Sequence, residues 1–138
     1  MIVVDTTVLS EPLRPTPEAR VVAWLSANQH QVGISSVTLG ELWYGAERLP
    51  VGARRTRLLA SLTRLVESAG DRLLPHRDAE ARVYAALRAR REASGRPISI
   101  EDAMIAAACL THDAALATRN VKDFEQLPIE IINPWEVA

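Results

Sequence analysis

The sequence predicts a three-layer α/β fold, in which a central parallel sheet of about five short strands carries helices on both faces. Short apolar runs rich in β-branched residues, such as Ile2-Val3-Val4, are typical of strands that are covered on both faces. These runs alternate along the chain with segments whose apolar residues have helical spacing, which is the pattern of a parallel sheet. With 138 residues, 48% of them hydrophobic, we expect one domain over residues 1–138.

The first half of the chain predicts two strands and three helices. The first strand ends at Asp5, and a helix to about residue 28 follows Thr16 as N-cap and Pro17 at its first position. The second strand covers residues 31–34. Ser35 and Ser36 then cap a helix through Glu41 to about residue 48. Leucines at helical spacing predict a further helix over residues 51–68, which ends at the segment 69–71.

The second half predicts three more strands. Leu73-Leu74 is a weak strand, and Asp78 caps a helix that ends before Gly95, a residue suited to a helix C-terminus. Ser99 starts the next helix, which extends to about residue 110. Residues 114–117 and 129–132 are the last two strands, and residues 121–127 between them form a short irregular or helical stretch.

Composition limits the classes of protein. The net charge is −1, but 15 of the 16 basic residues are arginine, the exception being Lys122, and arginine suits phosphates. An arginine-rich surface without a ligand is the alternative. Cys109 is the one cysteine and lies in an apolar run, so no internal disulfide is expected. The first residues lack a signal pattern and no apolar run spans a bilayer, so we expect a cytoplasmic protein without a membrane segment.

Three acidic residues stand at the edges of apolar segments that should be buried: Asp5, Glu41 and Asp102. Burying an unpaired carboxylate costs several kcal/mol, so a cation is expected beside them. Each also has an alternative explanation. Asp5 suits an Asx turn or helix cap, and Asp102 suits a capping box with Ser99. Glu41 has no basic partner at helical spacing, and the nearby glycines 40 and 45 suggest a close approach of backbone or ligand.

The remaining acids of these segments are interpreted differently. Glu101 is expected to point away from Asp102, as a first-turn acid that complements the helix dipole. Asn120 and Asp123 follow a strand and are candidates to complete the pocket, although Asp123 equally suits a cap before Phe124. A phosphatase of the haloacid dehalogenase type is disfavoured, because it needs a second acid at position 7, which is Thr7.

A cluster of this kind predicts a hard divalent cation. Close carboxylates repel by about 4 kcal/mol per pair at an effective dielectric constant of about 20. Oxygen ligands without histidine or thiolate favour Mg²⁺, with Mn²⁺ as a substitute. His30, His76 and His112 lie too far apart in the sequence to suggest a zinc site. The chemistry that such a cluster favours is hydrolysis of phosphodiester bonds.

The chain resembles the PIN-domain family, and within it the VapC and FitB-like ribonuclease toxins of toxin-antitoxin pairs. The resemblance covers almost the whole chain. It rests on five stretches that occur in register: Ile2-Val3-Val4-Asp5-Thr6-Thr7-Val8-Leu9-Ser10-Glu11, Ser35-Ser36-Val37-Thr38-Leu39-Gly40-Glu41-Leu42, Ile100-Glu101-Asp102-Ala103-Met104-Ile105-Ala106-Ala107, Leu116-Ala117-Thr118-Arg119-Asn120 and Ile132-Asn133-Pro134-Trp135.

The resemblance implies a PIN-like fold and a metal-dependent endoribonuclease. Asp5, Glu41 and Asp102 would be the catalytic acids that bind Mg²⁺ or Mn²⁺, and Thr6 would orient a ligand beside them. The products would carry a 5′-phosphate and a 3′-hydroxyl. Two residues depart from the family pattern: Thr7 stands where asparagine is common, and Asn120 where many members have a fourth acid.

The resemblance also implies partners. A cognate antitoxin of the VapB or FitA type would inhibit the enzyme, with Trp24, Leu42, Trp43 and Tyr44 as a candidate contact surface or, alternatively, as core. The chain would form a homodimer. Four arginines are candidates to grip RNA phosphates, or simply complete a helix terminus: Arg88, Arg90, Arg91 and Arg96. The alternative functions are a catalytically silent PIN-like protein that binds RNA or a partner, and a nuclease directed at DNA.

Overall fold

The central sheet has five short parallel strands. The structure, a computed structural model, describes residues 1–137. The strands lie in the order β3-β2-β1-β4-β5, and every neighbouring pair is parallel. This arrangement confirms the predicted α/β class. The strand bounds are Ile2–Val4 (β1), Val32–Ser35 (β2), Leu73–Leu74 (β3), Ala115–Ala117 (β4) and Ile131–Ile132 (β5).

Six α-helices connect and cover the strands. Their bounds are Thr6–Ser10 (α1), Ala19–Asn28 (α2), Ser36–Glu47 (α3), Ala53–Ala69 (α4), Asp78–Ala93 (α5) and Ile100–His112 (α6). Short 3-10 turns cover Glu11–Leu13, Gly70–Arg72 and Val121–Phe124. No helix within residues 1–137 is both long and apolar enough to cross a bilayer.

The buried side chains of β1 divide between the two faces of the sheet. Val3 lies in a cluster with Leu87 of α5 and Ile105 of α6, while Ile2 and Val4 lie in a second cluster on the other face. That second cluster includes residues of α1, α2 and α4. Successive side chains of a strand point to opposite faces, so a fully apolar β1 serves two cores at once. The expectation from its sequence is confirmed.

Some predicted boundaries are wrong, and each has a local reason. The helix after Pro17 begins only at Ala19, because the Glu11 carboxylate accepts the backbone N–H of Glu18 at 3.0 Å and Thr16 does not cap it. Helix α1 was not predicted. Asp78 is the first residue of α5 rather than its cap, and the side chain of Glu80 accepts the backbone N–H of Arg77 at 3.2 Å.

Other boundaries agree. Ser35 caps α3 by accepting the N–H of Val37 at 3.2 Å, as predicted. Gly95 follows α5 with a φ of 74°, a left-handed conformation that glycine adopts without strain. Because all five strands are parallel, their carboxyl ends share one edge of the sheet. Asp5 after β1 and Thr118 after β4 therefore become neighbours at that edge.

Candidate active site

Asp5 is the buried centre of the acidic region. It is 6% exposed, and its carboxylate is held from two sides. Oδ1 accepts the backbone N–H of Val8 at 3.0 Å, so Asp5 caps α1. Oδ2 accepts a hydrogen bond from the hydroxyl of Thr118, which stands 113 positions later in the chain. The helix-cap interpretation of Asp5 is confirmed, and the cap leaves room for a ligand because each carboxylate oxygen has two lone pairs.

Burial raises the pKa of the Asp5 carboxyl above its ordinary value. Hydrogen bonds from Thr118, Val8 and Thr7 act in the opposite direction but do not cancel the effect of desolvation. An ionised Asp5 therefore destabilises the metal-free protein. A cation beside the carboxylate would offset this destabilisation.

Asp102 lies in the first turn of α6 and is half-buried. Ser99 caps this helix by accepting the N–H of Asp102 at 3.1 Å, as the sequence predicted. Burial raises the pKa of the Asp102 carboxyl. A hydrogen bond with Ser99 lowers that pKa, the negative charges of Asp123 and Asp5 raise it, and the charge of Arg91 lowers it. Asp102 therefore lies within electrostatic reach of both Asp5 and Asp123.

Glu101 belongs to the same acidic region, and the expectation that it points away is wrong. Its Oε1 accepts a hydrogen bond from Thr6 Oγ1 at 3.2 Å, which links α6 to α1. Burial raises the pKa of Glu101, as do the charges of Glu41, Asp102 and Asp5, while the bond from Thr6 lowers it. The helix dipole alone predicted a solvent-facing side chain. The contact with Thr6, 95 positions away in the sequence, determines the actual direction.

Glu41 differs from the expectation of burial. Glu41 is exposed on α3. The apolar neighbours that suggested burial face the other side of the helix, where Leu42 is only 7% exposed. Its charge still reaches Glu101. The two nearby glycines do not mark a close approach, since a Cβ at position 40 or 45 would meet no atom within 4 Å. Glu41 therefore lies on an open face beside the other acids.

The segment after β4 contributes a residue that the sequence analysis did not single out. Thr118 is fully buried, and its Oγ1 also accepts the backbone N–H of Asn120 at 3.1 Å. Asn120 is exposed and is joined to the site through this backbone bond. Asp123 is exposed, and its charge acts on Asp102. A polar cleft of about 570 Å³ includes Asn120 and Asp123 in its wall, next to the strand ends.

The four candidate phosphate-binding arginines have different surroundings. Arg88 donates to Glu92 at 3.1 Å and to the hydroxyl of Tyr84 at 2.9 Å, both within α5. Arg91 donates to the carbonyl oxygens of Arg96 at 2.7 Å and Asp123 at 3.3 Å, which ties the end of α5 to the site. Arg90 is exposed. The structure thus joins Arg91 to the acidic edge and places Arg88 in helix contacts, while Arg96 takes part only through its carbonyl oxygen, which accepts from Arg91.

The donor set fits a hard divalent cation that keeps much of its water. Asp5 and Asp102 offer carboxylate oxygens. Burial raises the pKa of both, and the charges of Asp123 and Asp5 act in the same direction on Asp102. Within residues 1–137, no three acidic, histidine or cysteine side chains are arranged as a closed set around one ion. Mg²⁺ commonly uses one or two carboxylates with several waters, so it needs no closed protein cage.

The fold and the site together define a class: a parallel α/β protein with an acidic pocket at the carboxyl edge of its sheet. The chain belongs to the PIN-domain family, whose model matches residues 2–130. The resemblance seen in the sequence is thereby confirmed.

Two relatives cover essentially the full chain. VapC ribonuclease Y4jK of Sinorhizobium fredii is 37% identical over 140 residues and covers 100% of both chains. Toxin FitB of Neisseria gonorrhoeae is 36% identical, with coverage of 98% of this chain and 99% of the relative. Among solved structures, the crystal structure of FitAcB from Neisseria gonorrhoeae has a TM-score of 0.93 at 35% identity and covers 99% of this chain and 100% of that one.

Proposed function

We propose that this protein is a Mg²⁺- or Mn²⁺-dependent endoribonuclease that acts in the cytoplasm as the toxin of a toxin-antitoxin pair. The names of its relatives, a VapC ribonuclease and the toxin FitB, support the class. The observation that carries the proposal is the buried carboxylate of Asp5 at the carboxyl end of β1 in a PIN-type sheet, with Asp102 within reach of its charge. Such a pocket suits a phosphodiester and its metal ion.

Each residue has a defined task in the proposed site. Thr118 and the N–H of Val8 fix the Asp5 carboxylate, so that its oxygens meet a ligand without reorganisation. Asp102 presents a second carboxylate from α6, and Glu41 a third from the open face of α3. A bound cation would supply Lewis-acid stabilisation of the negative charge that develops on the phosphate.

The test is cleavage by the purified, partner-free chain. Its substrates are tRNA, mRNA, rRNA fragments and single-stranded DNA, each with Mg²⁺, Mn²⁺ or EDTA, alongside Asp5→Asn and Asp102→Asn. We expect RNA cleavage that EDTA abolishes and that each substitution lowers by about ten- to a hundredfold. The products should carry a 5′-phosphate. A 2′,3′-cyclic phosphate would contradict metal-assisted hydrolysis, and preferential cutting of DNA would overturn the choice of RNA.

A catalytically silent PIN-like binding protein is the second candidate. It is favoured by the open arrangement of the acids within the described residues and by the neutral side chain at position 120. In the same assay this candidate predicts RNA binding without cleavage by the wild-type chain and by both variants. Metal-dependent cleavage by the wild type alone would exclude it.

The proposal includes an antitoxin partner, since the FitAcB complex is among the similar structures. An apolar cleft of about 380 Å³ between α1, α2 and α4 is suited to an apolar segment of such a partner. Four residues were considered for contact. Leu42 lines this cleft but is 7% exposed, Trp24 and Trp43 pack against the core, and Tyr44 is 61% exposed but does not line the cleft. Leu9, Leu13, Leu25, Leu62 and Leu65 also line it.

Leu13 gives a direct test of this surface, because it is 45% exposed at the wall of the cleft. Leu13→Asp should abolish co-purification of a co-expressed antitoxin, while RNA cleavage by the free chain persists. Val51→Asp is the control, since Val51 is 89% exposed and outside the cleft. If both variants lose the partner, or if both retain it, the assignment of the cleft is wrong.

A further inference from the structure

Glu101 has a position that a first-turn acid does not require. An acid can complement a helix dipole from the solvent side, yet Glu101 is half-buried and accepts a hydrogen bond from Thr6 Oγ1 at 3.2 Å. Thr6 directly follows Asp5. The contact therefore brings Glu101 to the first turn of α1, beside the central carboxylate of the proposed site.

Glu101 also faces the other acids. Apart from its own burial, the charge of Glu41 is the largest influence that raises its pKa, and the charges of Asp102 and Asp5 act in the same direction. The charges of three other carboxylates therefore reach Glu101. In the metal-free protein this arrangement is repulsive, so stability alone gives no reason to direct Glu101 inward.

The segment after β4 has no acid at position 120. The charge of Asp123, three residues later, acts on Asp102 but is not among the influences on Asp5 or Glu101. Asn120, where many chains of this pattern have an acid, is exposed and joined to the site by its backbone N–H. We propose that Glu101 supplies the fourth carboxylate of the cation site in place of an acid at position 120, oriented by Thr6. This inference rests on the proposed function, and it assigns the additional negative charge to α6 rather than to the segment after β4.

The affinity for Mn²⁺ tests this inference independently of enzymatic activity. The metal-free chain is titrated with Mn²⁺ and the free ion is followed by electron paramagnetic resonance. Glu101→Gln should weaken Mn²⁺ binding by about tenfold, in the range seen when groups that support a metal site are removed. Glu130→Gln is the matched control. Glu130 is exposed and immediately precedes β5, at the opposite edge of the sheet, so its replacement should leave binding unchanged.

Two further readouts separate a metal-site role from a structural one. Glu101→Gln should raise the melting temperature in EDTA, because a repelling charge is lost, and should reduce the added stabilisation by Mn²⁺. A purely structural role predicts a lower melting temperature in EDTA. In the Glu101→Gln background, Asn120→Asp should restore part of the Mn²⁺ affinity by returning a carboxylate to the pocket.

The variants Asp5→Asn and Asp102→Asn distinguish the failure of this inference from the failure of the proposed function. If both weaken Mn²⁺ binding while Glu101→Gln binds like the wild type, Glu101 is not a fourth carboxylate and the inference is wrong. If neither changes binding, the proposed metal site itself is wrong. Thr6→Val offers an independent variant, which should also weaken Mn²⁺ binding by releasing Glu101 from its hydrogen bond.

Discussion

Thr118 connects the ends of two strands through one hydroxyl group. Its Oγ1 donates to Asp5 Oδ2 and accepts the backbone N–H of Asn120 at 3.1 Å, and the residue is fully buried. Valine has nearly the same shape but can make neither bond. A substitution at this position therefore tests the hydrogen bonds with little change in packing.

Thr118→Val should destabilise the protein by about 1–3 kcal/mol, because a buried carboxylate oxygen and a backbone N–H lose their partner. The free energy of unfolding in urea measures the effect. Thr63→Val is the control: Thr63 is exposed on α4, and its hydroxyl donates to the carbonyl of Leu59 at 3.0 Å. The control should change stability by no more than about 0.5 kcal/mol. Equal effects would show that the Thr118 hydroxyl has no special role.

Cys109 is also buried, but its side chain has no bonding role of this kind and its thiol should be unreactive. Burial raises the pKa of its thiol to about 12, and the residue is 1% exposed. We expect no reaction with a thiol reagent in the folded protein at neutral pH and complete reaction once the chain is unfolded in guanidinium. Rapid labelling of the folded protein would contradict the position of Cys109 in the core.

At the scale of elements, Glu11 determines where α2 begins. Its carboxylate accepts from Arg14 Nη1 at 3.1 Å and from the backbone N–H of Glu18 at 3.0 Å, one residue before the helix. Hydrogen bonding, first of all from Glu18, lowers the pKa of Glu11. This residue is 3% exposed and anchors the whole connection between α1 and α2.

Glu11→Ala should cost about 1–3 kcal/mol of stability and increase hydrogen exchange at the first amides of α2, because the N–H of Glu18 loses its acceptor. Glu67→Ala on α4, which is exposed, serves as the control. Since the pKa of Glu11 is lowered in the folded state, its contribution should be lost only as pH falls below the ordinary range of a glutamate. Unchanged hydrogen exchange at the first amides of α2 would show that Glu11 does not anchor the start of this helix.

The sequence predicted most elements and three acids of the candidate site, because apolar spacing and helix caps are local signals. It failed where a contact between distant residues decides the structure. The direction of Glu101 depends on Thr6, the start of α2 depends on Glu11, and the role of Thr118 depends on Asp5. Helix α1 has only five residues, among them Thr6, Thr7 and Val8, whose β-branched side chains favour strands. Its cap by Asp5 and its packing outweigh that preference.

At the scale of the whole molecule, the acidic site sets the pH dependence of the metal-free protein. Burial raises the pKa values of Asp5, Glu101 and Asp102. The folded state therefore binds protons more readily than the unfolded chain between the ordinary and the raised values. Over that interval, stability falls as pH rises.

In EDTA, the melting temperature of the wild type relative to the combined variant Asp5→Asn, Asp102→Asn should consequently fall as pH rises above the ordinary pKa of an aspartate, about 4. Mg²⁺ at neutral pH should recover stability of the wild type. Glu11 and Glu80, whose pKa values are lowered, are common to both chains, so the difference between the two profiles reports the site. A wild-type melting temperature that rises relative to that of the variant over this range would contradict the electrostatic account of the site.

The position of β1 in the sheet has a consequence for folding during synthesis. This strand precedes the other four in the chain, yet it lies between β2 and β4 in the sheet. The hydroxyl that binds the Asp5 carboxylate belongs to Thr118, which is translated 113 residues after Asp5. The nascent chain therefore has an incomplete pocket until β4 and Thr118 have been made, and the proposed toxin cannot be active earlier. A partner that is already present can meet the chain before that moment.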